Sequence, residues 1–283
     1  MTVGEVARHV SGTLAPKFGG GEAKAMMYII FENLKGWNPV DIAIKSNEEM
    51  TSFMIGEVDG VLKRLLNDEP IQYIFGNASF YGLKVRVKPG VLIPRPETAE
   101  LVDIIVKENQ QKDLQVADLC TGSGCIALAL ARNLPFAEVI ATDVSDVALS
   151  VAKENNKELH TGIELLKADI LKGEPSGRTF DIIVSNPPYI AEREKRNMEP
   201  NVLDHEPSLA LFVPDNDPLI YYRAILDYAG DALAPGGKIY FEINPLFADD
   251  LRRLAQSKGF DGVELMRDSF GKVRFARITR KDN

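Results

Sequence analysis

Asp118-Leu119-Cys120-Thr121-Gly122-Ser123-Gly124-Cys125-Ile126-Ala127 reads as a strand end, a glycine loop and a helix start. Gly122, Gly124 and Ala127 satisfy the G-x-G-x-x-G/A spacing, in which a tight turn brings the backbone close to a ligand. Outward from it, strands and helices alternate: Leu114 to Leu119, a helix from Gly124, Ala137 to Thr142, a helix from Ser145, Ile163 to Leu166, and Phe180 to Ser185. A helix around Ile220 to Leu233, a strand from Lys238 to Ile243 and a helix near Phe247 to Lys258 continue the series. This alternation predicts an α/β fold, a mostly parallel sheet with helices on both faces. The final runs, Val263 to Met266 and Val273 to Ile278, leave no room for a crossover helix and are expected to pair antiparallel.

Upstream the pattern is helical. Thr2 with Glu5, and Ser46 with Glu49, match the capping-box spacing of helix starts. Met50, Met54, Val58, Val61, Leu62 and Leu65 recur at helical spacing, and Met26, Met27, Ile29, Ile30, Phe31 and Leu34 supply a facing surface, as in a small bundle. Between residues 76 and 96 the period changes to two, with Leu83, Val85 and Val87 on one face, a Pro89-Gly90 turn, and then Val91-Leu92-Ile93. The expected division is therefore a helical bundle over 1–75, a β-hairpin linker over 76–96 and the α/β region over 97–283. Ala191 to Pro218 is long, charged and weakly patterned, which suits a lid or a poorly ordered loop.

The chain has 283 residues, 45% of them hydrophobic, enough for a full α/β core and a second small domain. No run is apolar for the length of a membrane span and the N-terminus lacks a secretory pattern, so the cytoplasm is expected. The only two cysteines, Cys120 and Cys125, flank the glycine loop and fit a reducing compartment rather than a disulfide framework. His9, His160 and His205 show no ligand spacing, and no metal is expected. The net charge of −8 repels a polyanion and weakens any reading with duplex DNA as substrate.

A second signature, Asn186-Pro187-Pro188-Tyr189, directly follows the apolar strand ending at Ser185. The prolines fix φ and remove N–H donors, so the Asn186 side-chain oxygen and the Pro187 carbonyl can both accept from a substrate NH2, with Tyr189 covering a flat group. The glycine loop alone would also suit a dinucleotide, with Asp143 binding ribose hydroxyls roughly 20 residues on. Asp118 argues against that, because a carboxylate beside a pyrophosphate repels it, whereas it attracts the ammonium of a methionine moiety. Asp169 could accept from an adenine amino group, with Ile170 against the ring. The cofactor expected is S-adenosyl-L-methionine, leaving S-adenosyl-L-homocysteine, and the reaction methylation of nitrogen.

The chain resembles the N5-glutamine methyltransferases of bacterial peptide chain release factors, the PrmC/HemK family. The resemblance rests on Glu69-Pro70-Ile71-Gln72-Tyr73-Ile74-Phe75-Gly76, Phe80-Tyr81-Gly82, Leu92-Ile93-Pro94-Arg95-Pro96-Glu97-Thr98, the glycine loop, Asn186-Pro187-Pro188-Tyr189, and Glu206-Pro207 with Ala210-Leu211-Phe212. It implies a class I S-adenosylmethionine-dependent methyltransferase fold, Rossmann-like with an antiparallel last strand, behind an N-terminal helical bundle. It implies a class 1 peptide chain release factor as protein substrate, methylated on the glutamine of its Gly-Gly-Gln loop. Cys120, Thr121, Gly122, Ser123 and Gly124 would line the methionine part of the cofactor, Asp143 would hold the ribose, and Asn186 through Tyr189 the glutamine amide. Two positions depart from the pattern: Cys120 stands where the family often has glycine, and Glu242-Ile243-Asn244-Pro245 lacks the glycine and later glutamine expected after the glutamate.

Three other functions compete. Methylation of an exocyclic base amine in DNA would use the same grip on a flipped base. A dinucleotide-dependent oxidoreductase leaves residues 186–189 without a role, and an idle scaffold leaves Asn186 and the glycines without one.

Overall fold

The computed structural model describes residues 1–173 and 177–280; residues 174–176 and 281–283, both inside the expected 97–283 region, lie outside the described residues. Two compact units emerge, residues 1–76 with 200–205, and residues 77–199 with 206 onward.

The first unit contains α1 (Val3–Phe18), α2 (Gly20–Lys35), α3 (Pro39–Ile44), α4 (Ser52–Leu66) and α5 (Ile71–Phe75), together with the short helix Pro200–His205 from later in the chain. Thr2 and Glu5 form the expected capping box. Val3, Val6, Val10 and Leu14 then bury one stripe of α1 against Met27, Ile30 and Phe31 of α2 and Val58, Leu62 and Leu65 of α4. Each such aliphatic chain stabilises the unit by about 1.5–3 kcal/mol when fully buried. The second expected capping box does not form. Residues 45–47 make a turn, and α4 starts later, behind Thr51, whose hydroxyl accepts from Met54 N at 3.3 Å. Glu49 instead pairs with Thr2 in an isolated antiparallel bridge, and its carboxylate meets the N-terminal ammonium. A tertiary pairing overrides a local cap.

The second unit opens with β1 (Asn77–Phe80) and β2 (Leu83–Arg86). Their hairpin turns at Tyr81-Gly82, not at Pro89-Gly90. Both turn residues have positive φ, 46° and 75°, the backbone of two-residue hairpin turns whose twist matches the strands. Pro89-Gly90 does make a turn, closed by Val91 N on Lys88 O, but Val91-Leu92-Ile93 leaves it as irregular chain with Val91 and Ile93 buried.

After α6 (Pro96–Glu108) come β3 (Gln115–Leu119), α7 (Cys125–Asn133), β4 (Glu138–Asp143), α8 (Asp146–Leu159), β5 (Glu164–Lys167), β6 (Phe180–Ser185) and the short β7 (Ile190–Ala191). The segment expected as a lid or loop carries α9 (Pro200–His205), α10 (Ser208–Leu211) and β8 (Phe212–Val213), and β8 closes it by pairing parallel with β7. The chain ends through α11 (Ile220–Ala232), β9 (Leu233–Glu242), α12 (Ala248–Ser257), β10 (Gly262–Arg267) and β11 (Val273–Thr279). The main sheet runs β10-β11-β9-β6-β3-β4-β5, with β3, β4, β5, β6 and β9 parallel and β11 antiparallel to both neighbours. This is the class I methyltransferase arrangement expected. β3 and β6 are nearly continuous apolar runs because helices cover both faces. Phe180, Ile183, Ile239 and Phe241 of the sheet pack with Ile225 and Leu226 of α11 in the core.

Candidate active site

The sheet brings the two sequence signatures together. Leu119 and Ser185 are register partners on the adjacent parallel strands β3 and β6, and Ser185 Oγ donates to Leu119 O at 2.6 Å. Cys120 and Asn186 therefore leave the sheet side by side at its carboxyl edge. β4 lies on the other side of β3, so this edge is a topological switch point, where open α/β sheets bind ligands. A cavity of about 260 Å³ opens there. Cys120, Thr121, Gly122 and Ser123 line it from the glycine loop, Asp143 from the end of β4, Asp169 and Ile170 from the turn after β5, and Asn186 and Pro188 from the turn after β6.

Four expected site residues do not line it: Asp118, Gly124, Pro187 and Tyr189. Gly124 caps α7 at φ 82°, and a Cβ there would stand 3.2 Å from Ala152 Cβ and 3.3 Å from Leu128 Cδ1, so its small size seats α7 against α8. Asp118 is fully buried; its Oδ2 accepts from Thr121 Oγ1 at 2.6 Å and Ala127 N at 3.1 Å, while Oδ1 has no partner. Burial outweighs those two bonds and pushes its carboxyl up to about 7.

Asp143 ties the loop to the next turn, accepting from Gly122 N at 2.9 Å and Ser145 N at 2.8 Å. Burial raises its pKa although both amides oppose the rise. Asp169 caps the turn after β5 by accepting from Leu171 N at 3.1 Å. Cys120 takes φ 62°, the left-handed region that favours glycine, which accounts for the expectation of glycine at this position. Burial, with Asp143 nearby, holds its thiol far above the ordinary range, and burial pushes the Cys125 thiol up to about 12, so neither is a thiolate nucleophile at neutral pH.

Under the Asn186 turn lies a polar chain. Asn186 Nδ2 donates to Thr98 Oγ1 at 3.3 Å, Thr98 Oγ1 donates to Glu242 Oε2 at 2.6 Å, and Tyr189 OH donates to Glu242 Oε1 at 2.9 Å. The buried Tyr189 phenol needs an acceptor, and Glu242 supplies it. Glu242 is 2% exposed, and burial raises its pKa against the opposing hydrogen bonds. Asn244, where the family pattern differs, donates to Tyr189 O at 3.2 Å and Glu194 Oε1 at 2.8 Å, pinning the chain beyond the turn.

Pro207, Leu209 and Ala210 form another wall of the cavity. It is anchored by buried Glu206, whose Oε2 accepts from Ile93 N at 3.1 Å and whose Oε1 pairs with the Arg95 guanidinium. Two motifs distant in sequence, Ile93-Pro94-Arg95 and Glu206-Pro207, thus meet. Thr98, Glu242 and Glu206 are supporting residues that sequence reading did not single out for a role, as is Asn155 of α8, whose side-chain amide donates to the Ser123 carbonyl of the glycine loop. A polar residue inside an apolar helix face or at the end of an apolar strand was the available signal, and its partner was invisible without the fold.

The cavity suits a nucleoside bearing a methionine tail. A carboxylate ends β4 where ribose hydroxyls are expected, Ile170 and Tyr221 give an apolar wall, and Ser123 Oγ is buried without a partner beside the glycine loop. No group of His, Cys, Asp and Glu able to hold a metal occurs among the described residues.

Residues 97–205 match the Methyltransferase small domain model and residues 5–76 the PrmC N-terminal domain model. A release factor glutamine methyltransferase of Bacteroides thetaiotaomicron is 46% identical, covering 92% of this chain and 93% of its own, and one of Flavobacterium psychrophilum is 41% identical, covering 94% of each. Among solved structures, the Thermus thermophilus 16S rRNA N2 G1207 methyltransferase RsmC, in complex with AdoMet and guanosine, shares the fold with a TM-score of 0.54 at 19% identity, covering 72% of this chain and 50% of that one. On the identity and coverage of these relatives, together with the fold and the site, the chain belongs to the release factor glutamine methyltransferase family.

Proposed function

We propose that this enzyme transfers the methyl group of S-adenosyl-L-methionine to the side-chain amide nitrogen of the glutamine in the Gly-Gly-Gln loop of a class 1 peptide chain release factor, in the cytoplasm. The observation that carries it is the shared cavity: Asn186 and Pro188 line the same space as Gly122, Ser123 and Asp143. No described helix is long and apolar enough to cross a membrane.

The chemistry supplied by S-adenosyl-L-methionine when bound is a methyl group made electrophilic by its sulfonium, with S-adenosyl-L-homocysteine left behind. Asp143 would hold the ribose hydroxyls, Asp169 and Ile170 the adenine, and Cys120 through Gly124 the methionine part, with the buried Asp118 carboxyl behind the loop. An amide is a poor nucleophile because its lone pair is delocalised into the carbonyl. Asn186 Oδ1 and the Pro187 carbonyl accept the two N–H groups of the substrate amide and turn its lone pair toward the cofactor. The same acceptors stabilise positive charge as it develops on nitrogen, and the surplus proton leaves that nitrogen for solvent water. Pro187 and Pro188 keep the acceptors in place by fixing the backbone.

The test incubates the protein with labelled S-adenosyl-L-methionine and, separately, a release factor, the same factor with its Gly-Gly-Gln glutamine replaced, and DNA. Label is expected on the intact release factor alone. Label on DNA alone would favour the base-amine reading and overturn this one.

A further inference from the structure

We propose that Glu242, acting through Thr98, is a positioning residue that sets which end of the Asn186 amide faces the substrate; this rests on the methyl-transfer reading above. The Thr98 hydroxyl has one proton, and that proton is directed at Glu242 Oε2, 2.6 Å away. Toward Asn186 the Thr98 oxygen can therefore only accept, so the Asn186 atom lying 3.3 Å from it must be the NH2 nitrogen. With Nδ2 held there, Oδ1 is the end left for a ligand. An asparagine amide is nearly symmetric in shape, and packing alone distinguishes its ends poorly. In the flipped state the turn would offer NH2 to a substrate NH2, donor against donor.

Glu242 has the chemistry this requires. Two donors, Thr98 and Tyr189, converge on its two oxygens, and an ionised carboxylate accepts both. Thr98, which lines the cavity, is 2% exposed and Glu242 also 2%, so both groups are largely shielded from bulk water. Position 242 also ends β9, next to β6 in the sheet, which holds the carboxylate rigidly beneath the turn.

The lock is tested on the full chain with Thr98→Val, Thr98→Ser and Glu242→Gln, using release-factor methylation, cofactor titration and NMR of the Asn186 side-chain amide. Thr98→Val removes the acceptor and is expected to lower kcat on the order of 10²-fold, with KM and cofactor Kd each within about threefold. Thr98→Ser keeps the hydroxyl and should recover most of that rate. Glu242→Gln offers one acceptor to two donors, so one must turn, and kcat should fall at least about tenfold. The Asn186 NH2 signal should shift in Thr98→Val and Glu242→Gln and stay near its native position in Thr98→Ser. An unshifted signal with native kcat in Thr98→Val or Glu242→Gln would overturn the lock, as would loss of rate in Thr98→Ser equal to that in Thr98→Val. An inactive wild-type enzyme would bring down the functional reading alone, and the NMR comparison would still decide the lock.

Discussion

Asn155 of α8 donates to the Ser123 carbonyl of the glycine loop at 2.9 Å, and the same buried side chain exchanges two hydrogen bonds with the backbone of Arg86, accepting at 2.6 Å and donating at 3.1 Å. One amide thus splints the end of hairpin strand β2 to the cofactor loop. Asn155→Leu keeps the bulk and orphans three backbone groups, at a cost of about 1–3 kcal/mol for each that water cannot reach. The expected outcome is a lower melting temperature together with cofactor binding weakened on the order of tenfold. Thermal unfolding and calorimetric titration read the two effects, and a variant matching wild type in both would rule out the splint.

Asn186→Ala removes an acceptor while leaving the prolines and the cavity floor. Turnover should drop on the order of 10²–10³-fold, by analogy with the loss of one preorganised hydrogen-bonding group. Cofactor affinity should weaken much less than rate. Single-turnover methylation near the native rate contradicts the assigned role.

Arg95→Ala leaves the Glu206 carboxylate, whose side chain is 2% exposed, with the Ile93 amide alone. The cost should be about 2–3 kcal/mol, less than for a wholly buried pair because Arg95 remains 34% exposed. Since Glu206 anchors Pro207, Leu209 and Ala210, limited proteolysis should cut near that wall sooner than in wild type. Unchanged cleavage and an unchanged urea midpoint would count against the anchor.

The Asp118 carboxyl titrates at about 7 in the fold, against about 3.9 in an unfolded chain. Between those values the folded state binds more protons than the unfolded state, so this residue's contribution to stability falls as pH rises through the window and levels off above about 7. The difference corresponds to a loss of roughly 4 kcal/mol across the window, as an order of magnitude. Buried Asp143 and Glu242 are also raised and slope the same way, so Asp118→Asn isolates the effect. Urea midpoints from pH 4.5 to 8 should decline less steeply in that variant; parallel curves would place the Asp118 titration elsewhere.

Cys120→Gly is expected to be neutral or stabilising by up to about 1 kcal/mol, because relief of the left-handed backbone opposes the added freedom of the unfolded chain. Cofactor binding should persist. A destabilisation beyond about 1 kcal/mol would mean that the thiol contributes packing the strain argument omits.

Much of the fold was legible because burial on both sheet faces forces β3 and β6 into apolar runs, and helix starts such as Ser145 and Thr2 carry their caps locally. Local signals failed where a distant partner intervened. Glu49 pairs with Thr2 instead of capping a helix, and the hairpin turns at Tyr81-Gly82 because Phe80 and Leu83 are register partners, although Pro89-Gly90 has the stronger turn composition.

The site divides the same way. Gly122, Asp143 and Asn186 announced themselves because residue type, spacing and position after a strand are properties of a short segment. The hydroxyl of Tyr189 answers to Glu242 and the guanidinium of Arg95 to Glu206, both far along the chain, so neither partner could be read from the segment itself. The amino-acid order by itself determined the alternating sheet, the two signatures and the chemistry they can perform. The tertiary structure alone decided which buried donor meets which acceptor, because a hydrogen bond depends on ångström separations that residues remote in sequence reach only after the sheet has assembled.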